Sequence, residues 1–272
     1  LEDLLNHPKL GSSLVDHVTE CLSPERQLKI CLGQIKGPIC HNTAGAIETL
    51  HKRKDAPTEL IEDLVSKLNS KKHHPYIAWQ ICRFLLSRKI MFVNCINTLE
   101  KFSKQRVVDG YGGNPYDYEL ALLCLTYAPK QGHQLLRTAL RSKTPAAIED
   151  TAALLALIDE PWSRLEVINA LTDGTHLSDT VAQRRLSAAL IHSSNSETQK
   201  KGKELMPPER EREDGEFGYT FDEVVAAGLE ESFPLSMESA RKDLETLDLE
   251  KIRNEWEPPP KKSLLNWFNK MN

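Results

Sequence analysis

The sequence lacks the features that mark several common classes of protein. Its longest apolar runs, such as 152–158, fall far short of the roughly 20 residues that a transmembrane helix needs. No basic-then-apolar signal peptide opens the chain, and because it begins with Leu1 we expect it to be part of a longer protein. Its 272 residues are 40% hydrophobic and 27% charged, a composition that indicates a soluble protein able to build a core.

The six cysteines form no recognisable redox or metal-binding motif. None of them stands in a CxxC pair, and Cys82, Cys95 and Cys124 fall within apolar stretches of predicted helices. A cysteine at such a position behaves as a small hydrophobic residue. We therefore predict that the cysteines are reduced and that the protein is cytoplasmic.

Motifs for catalysis and for closed metal sites are also missing. The sequence contains no GxSxG elbow, no HExxH pair and no phosphate-binding glycine loop in a strand-to-helix context. His73 and His74, together with Cys40 and His41, are the candidates for metal ligands, but they do not give four ligands at the short spacings of a zinc site. We predict no metal, no cofactor and no catalytic residue, and hence a protein that is not an enzyme.

What the sequence does contain is a helical hairpin that recurs about every 30 to 35 residues through its first 200 positions. In each repeat an apolar helix is followed by a turn and a shorter amphipathic helix. Such hairpins bury their apolar faces only against neighbouring hairpins, so this period predicts an α-solenoid. The apolar stretches centre on Ala46, Ile77, Leu123, Ala152 and Leu186.

Two segments carry a resemblance to a known family. They are PAAIEDTAALLALIDEPWSRLEVINAL (145–171) and DTVAQRRLSAALIHSS (179–194), and in both an Ala/Leu-rich first helix has a polar or charged residue near its start. Over about residues 42–205 the pattern resembles HEAT- and armadillo-type helical repeats. The repeated Trp, Leu-Gly and Tyr set of tetratricopeptides and the TPLH turn of ankyrins are not found.

The resemblance implies an all-α fold, a right-handed α-α superhelix built as a HEAT-like solenoid of about six helical hairpins. Such a stack is curved, and its concave face, which the second helices of the hairpins line, binds other molecules. The family does not specify which molecule is bound.

Charge and proline content divide the chain into three predicted domains. The solenoid, 1–208, is nearly neutral, since residues 1–201 carry 25 Lys and Arg against 22 Asp and Glu. An acidic linker and helical cap follow in 209–256, where we predict one long helix from Leu235 to Trp256 that seals the last hairpin; residues 202–260 carry 7 basic against 17 acidic residues. A Pro-rich segment and amphipathic tail, 257–272, ends the sequence.

Basic residues on the predicted second helices are candidates for partner binding. A stripe of them on a concave face would attract an acidic protein or nucleic-acid phosphates. The loop 103–114, which contains Tyr111 in a Gly-Tyr-Gly-Gly run, lengthens one repeat and is either a contact loop or a tolerated insertion. The basic candidates are Lys67, Lys101, Arg137, Arg141 and Arg164.

The tail offers a second kind of contact. Leu264, Trp267 and Phe268 recur at helical spacing after three prolines and resemble a peptide that inserts a helix into a partner's groove. Two alternatives stay open, namely that these side chains fold back on the chain's own solenoid or that the basic end touches a membrane surface.

These features predict a non-catalytic protein-protein interaction module, that is, a scaffold, an adaptor or an inhibitor of the immunity-protein type. The partner is expected to be a protein, with no integral membrane association. The alternative is a HEAT-like nucleic-acid-binding protein, such as a DNA glycosylase with Trp79 or Trp162 near a catalytic Asp. A steep loss of binding with salt would distinguish this alternative.

Overall fold

The computed structural model describes residues 22–37, 41–53, 57, 59–67, 75–90, 96, 99, 117–207 and 234–258. These residues form helices and turns with no β-strand among them, which confirms the all-α prediction for this part of the chain. The spacing of Leu10, Leu14, Val18 and Leu22 predicts a further helix, which lies almost wholly outside the described residues. The loop 103–114 and the tail beyond Pro258 lie entirely outside them. The described helices are α1 (Pro24–Lys36), α2 (His41–His51), α3 (Glu59–Lys67), α4 (Pro75–Arg88), α5 (Asp117–Tyr127), α6 (Pro129–Leu140), α7 (Pro145–Ile158), α8 (Pro161–Thr172), α9 (Thr180–Ile191), α10 (Ser196–Leu205), α11 (Pro234–Leu244) and α12 (Leu249–Asn254).

Proline sets where many of these helices begin. Half of the described helices start at a proline, including α7 at Pro145 and α8 at Pro161, as the sequence predicted. Proline suits the first helical position because its missing N–H would have no intrahelical acceptor there and its φ angle is already helical.

The described helices fall into two compact units whose boundary lies within α5, after Leu123. In the first unit α2 packs against α1 and α4, and α1 packs against α3, so each helix contacts the next-but-one helix along the chain. Cys82 of α4 is buried, as its apolar surroundings predicted. The largest fully buried side chains of this unit are Phe84, Ile35, Ile47, Leu50, Ile61, Leu64, Ile77 and Ile81.

The second unit is organised around α7. This helix packs against α6 and α8, its neighbours in the chain, and also against α9 and α11. The helices α6 and α8 also contact each other, and α9 packs against α8 and α10. The apolar core of this unit includes Leu136, Ala152, Leu154, Leu155, Leu186 and Leu190.

A ladder of side-chain hydrogen bonds joins residues that are 29 to 38 positions apart, within each unit separately. This separation is close to the period of 30 to 35 residues that the sequence predicts. In the first unit the pairs are Arg53 with the carbonyl of Pro24, Gln80 with Glu48, and Arg88 with the carbonyl of Leu50. In the second unit they are Arg137 with Glu166, Arg141 with Asp173, Asp159 with Ser193 and Ser194, and His176 with the carbonyl of Leu140.

Asp159 is the residue of this ladder with the least favourable backbone conformation. It ends α7 in the left-handed conformation, at φ 45°. Its carboxylate accepts hydrogen bonds from the Ser193 hydroxyl at 2.5 Å and the Ser194 N–H at 2.7 Å, and also lies 3.2 Å from Arg164 Nη1. Burial acts to raise the pKa of Asp159, but these hydrogen bonds outweigh it and hold the pKa below its usual value.

Asp159→Ala is expected to reduce the free energy of unfolding by about 2 kcal/mol at pH 7, because hydrogen bonds to a charged group are lost. Asp159→Asn should cost less, since an amide oxygen still accepts and Asn tolerates the left-handed conformation. Because the pKa of Asp159 is lower in the folded chain than its ordinary value of 3.8, its charge stabilises the fold at pH values above 3.8. This stabilisation is lost as the pH falls through the lower pKa of the folded chain. The difference in free energy of unfolding between wild type and Asp159→Asn, measured by urea denaturation, should therefore become smaller from pH 7 to pH 3. A difference that does not change with pH would contradict the role of the charge.

The prediction of one long helix from Leu235 to Trp256 is wrong. α11 ends at Leu244 and α12 begins at Leu249. The Thr246 hydroxyl donates to the carbonyl of Asp243, and the Asp248 carboxylate caps α12 by accepting the Lys251 N–H at 3.0 Å. In the described part of this segment, α11 packs against α7 and α12 packs against α6, and its role as a cap on the last hairpin stays a prediction.

Candidate functional site

The described part of the second unit contains a cluster of charged and aromatic side chains where α6 faces α8. We define the α6–α8 site by five residues, Lys130, His133 and Arg137 from α6 with Trp162 and Glu166 from α8. The spacing of three to four residues places the members from each helix on one side of it. Both helices are second helices of predicted hairpins, so this is the surface on which the sequence predicted partner binding.

A bidentate ion pair forms the centre of the site. Arg137 Nε lies 2.8 and 2.9 Å from the two carboxylate oxygens of Glu166, and Arg137 Nη2 lies 2.6 Å from Oε1. The Glu166 side chain is fully buried, and that of Arg137 is only 18% exposed. A buried carboxylate is tolerated only when it is paired and hydrogen-bonded, which the planar guanidinium group accomplishes here.

A segment from the end of the described chain covers this pair. Residues 249–258, which comprise α12 and the turn after it, are called the C-terminal segment below. The Trp256 indole N–H donates to Glu166 Oε1 at 2.8 Å, and Arg137 Nη2 donates to the carbonyl oxygen of Glu257. The pair thus bridges two helices and holds a peptide segment that is 90 to 120 residues distant in sequence.

His133 gives the site a further donor toward the same segment. Its Nε2 lies 2.8 Å from the carbonyl oxygen of Ile252, which can only accept, so Nε2 carries the proton. Burial lowers the pKa of His133, although its bond to Ile252 and the charge of Glu166 act in the opposite direction. The His133 ring packs edge-on against Trp162 at 4.8 Å between centroids, and its buried Nδ1 has no hydrogen-bond partner among the described residues.

Two ion pairs lie at the rim of the site. Lys130 and Glu257 meet at 2.8 Å, with both side chains more than 60% exposed, and this contact raises the pKa of Lys130 and lowers that of Glu257. Arg253 lies 3.5 Å from Glu160 at the other side of the segment. Glu160 also accepts the indole N–H of Trp162 at 2.9 Å, which fixes that ring. Exposed pairs of this kind contribute more to specificity than to affinity.

The predicted partner-binding residues have different positions. Arg137 is at the centre of the site, whereas Arg141 belongs to the ladder through its pair with Asp173, and Arg164 pairs locally with the ladder residue Asp159. Lys67 ends α3, and its side chain is outside the description. Their role in binding a partner stays a prediction. The other candidates, Lys101, Tyr111, Leu264, Trp267 and Phe268, lie outside the described residues.

Sequence reasoning missed His133, Glu166, Trp256 and Glu257. A signal for Glu166 was present, because an acidic residue on one second helix follows Arg137 of the preceding one by 29 positions, close to the repeat length. No comparable signal marks the C-terminal segment, because its residues are not separated from their partners in α6 and α8 by a repeat length. Trp162, one of the two aromatics that the glycosylase hypothesis named near a catalytic Asp, is only 3% exposed.

Other kinds of site have little support in the described residues. No group of three or more His, Cys, Asp or Glu side chains is arranged there to hold a metal ion. None of the helices that the structure describes is long and apolar enough to cross a membrane. Comparison with known proteins gives no match: no family model fits the sequence, and no curated protein or solved structure reaches the level of a match.

Proposed function

We propose that this chain is a HEAT-like helical-repeat protein that binds another protein on the second-helix surface of its solenoid and catalyses no reaction. It would act as a scaffold, an adaptor or an inhibitor, and the sequence features place this activity in the cytoplasm. The proposal combines two arguments, one for the repeat architecture and one for the kind of ligand.

The repeat architecture is supported by how the helices pack. In each unit helices contact their next-but-one neighbours, α2 with α4 and α1 with α3 in the first, and α7 with α9 and α6 with α8 in the second. First helices then stack on first helices and second on second, which is the arrangement expected of a solenoid. The ladder supports the same arrangement, because its hydrogen bonds join residues about one repeat apart.

Protein binding is supported by one observation above all: the α6–α8 site already holds a peptide segment. Arg137 and His133 donate to backbone carbonyls, and Glu166 accepts an indole N–H. Donors to main-chain carbonyls and a polar acceptor for tryptophan recognise polypeptide, not phosphate. The second-helix surface therefore has the chemistry that a protein ligand needs.

The nucleic-acid alternative receives less support from the same residues. Arg137, Arg141 and Arg164 each pair with a carboxylate of this chain, and all three side chains are less than 25% exposed. A phosphate group would have to compete with these carboxylates, which bind the same guanidinium groups. Charge reversal of the arginines would disturb the ladder, so it is not a clean test of nucleic-acid binding.

Affinity capture with the full chain as bait tests the proposal. The lysate of cells that express the protein is divided, one half is treated with nuclease, and both eluates are analysed by mass spectrometry and nucleic-acid staining. We expect one stoichiometric protein in both halves. Recovery of nucleic acid, with proteins lost on nuclease treatment and binding that falls steeply between about 50 and 200 mM salt, would contradict the proposal.

A further inference from the structure

We infer that the α6–α8 site recognises a peptide segment with an aliphatic residue near the end of a short helix, a basic residue directly after it, a tryptophan four positions after the aliphatic residue and an acidic residue directly after the tryptophan. In the chain alone the C-terminal segment occupies the site, and a partner protein presents a segment of the same chemistry in its place. This inference rests on the proposed function, because it names the class of ligand for the second-helix surface.

The pattern follows from what each position of the C-terminal segment contacts. Ile252 of α12 is fully buried, and Trp256, four positions later and just past the end of the helix, donates its indole N–H to Glu166. Arg253 faces the acidic rim residue Glu160, and Glu257 faces the basic rim residue Lys130. Position 254 does not enter the pattern, and Glu255 acts on Lys130 and His133 only through its charge, which acts to raise the pKa of both. Two anchors and two charges of opposite sign thus define both the register and the direction of the bound peptide.

The contacts that shape the site are made without the segment. Three hydrogen bonds join Arg137 to Glu166 directly, and α6 packs against α8. Trp162 is held by Glu160 and by the ring of His133. None of these contacts involves residues 249–258. Departure of the segment would expose Glu166 Oε1, His133 Nε2 and Arg137 Nη2, the groups that bind it, in a geometry that is already set for an incoming peptide.

The segment itself is held weakly enough to leave. α12 has six residues, fewer than the roughly 12 to 15 that an isolated helix needs for stability, and Ile252 is its one buried side chain. Three of the four side chains in its rim pairs are more than half exposed, namely Lys130, Glu257 and Arg253. α11 is anchored separately on α7, where Met237 and Ala240 are buried and Ser236 hydrogen-bonds to Asp150. The segment can therefore detach while α11 stays in place.

A different protein, and not a second copy of this chain, is the expected occupant. A tethered segment competes at an effective concentration of about 1 mM, which an identical segment on another copy does not reach at micromolar protein concentrations. A partner displaces the tethered segment only if it binds more tightly, for example through added contacts outside the α6–α8 site. Its charges must match those of the rim, basic toward Glu160 and acidic toward Lys130.

The test uses the full chain and a fluorescent peptide with the sequence of residues 249–258, LEKIRNEWEP. Trp256→Ala weakens the tethered competitor, so we expect this variant to bind the peptide at least about tenfold more tightly than wild type does. A peptide with the same Trp-to-Ala change should not bind. Leu177→Ala, a substitution at a 67% exposed residue, is the control and should behave as wild type.

Exchanging the charges of Lys130 and Glu257 tests whether the rim of the site selects its ligand by charge. Lys130→Glu, placed in the Trp256→Ala chain, should weaken binding of the peptide, and a peptide with Lys in place of Glu257 should restore it. Because Lys130 is 63% exposed, the substitution does not endanger the fold. A random displayed peptide library selected on the Trp256→Ala chain should enrich the pattern aliphatic, basic, any, any, Trp, acidic, and the wild-type chain should not enrich it.

Three results would overturn the inference: equal binding of the peptide to wild type and Trp256→Ala, binding to neither, or a wild-type dimer at micromolar concentration that the peptide dissociates. The last result would make a second copy the occupant. Failure of the proposed function is distinguishable, because capture from lysate would then yield no protein. If a protein is captured and the peptide does not compete with it, the inference alone fails.

Discussion

Replacing Arg137 with alanine should lower the free energy of unfolding by about 3 to 5 kcal/mol, the range observed when one partner of a buried ion pair is removed. Glu166 is fully buried, and after the substitution its charge would retain the indole N–H of Trp256 as a donor but no cation. The loss of stability should appear as a lower urea midpoint for unfolding of the full chain, measured by far-UV circular dichroism.

Two further variants separate the ion pair from other effects of the substitution. Lys130→Ala removes the exposed pair with Glu257 and should leave the urea midpoint unchanged. The double variant Arg137→Met with Glu166→Leu removes both charges and should be more stable than Arg137→Ala, because no buried charge is left without a partner. A midpoint for Arg137→Ala within experimental error of wild type would contradict the burial of this pair.

Gly132→Ala should lower the free energy of unfolding by about 2 kcal/mol, a typical cost of adding a methyl group where no space exists. A Cβ atom at this position of α6 would lie 2.5 Å from the backbone nitrogen and 2.8 Å from the Cα of Leu125. Because these are backbone atoms of α5, only a shift of one helix relative to the other could relieve the contact. The clash exceeds the gain in helix propensity that alanine brings.

Gly33→Ala is the matched control for this substitution. Gly33 also lies inside a helix, α1, but no atom is found within 4 Å of its added Cβ. There the change should raise the free energy of unfolding by about 0.5 to 1 kcal/mol, since alanine loses less backbone entropy on folding. Thermal and urea denaturation of both variants would check the pair. If the two substitutions changed the free energy of unfolding in the same direction, the close approach of α5 and α6 would be contradicted.

The helices could be predicted from the sequence because their signals are local. The sequence pattern predicts a helix from Thr180 to Ile191, which are the bounds of α9 in the structure, and Pro145 and Pro161 mark the starts of α7 and α8. The sequence signal for a helix is weaker where side chains compete for the hydrogen bonds of the helix backbone. Thr246 and Asp248 hydrogen-bond to nearby backbone groups, and the apolar spacing of 235–256 concealed the break that results.

The site was harder to predict because its contacts are not local. Arg137 was identified as a surface cation, but its burial against Glu166 depends on how α6 and α8 pack. Periodicity places a residue on a helix face without saying which residue of another helix it meets. The contacts of Trp256 with Glu166 and of Glu257 with Lys130 span 90 and 127 residues, and no repeat relates them.

Hydrogen exchange of the full chain, alone and with the protein recovered by affinity capture, is the measurement that tests the central claim most directly. Binding on the second-helix surface predicts slower amide exchange in α6 and α8 of the complex and faster exchange in residues 249–258. Unchanged exchange in α6 and α8, with protection elsewhere in the chain, would contradict the claim that this surface binds the partner.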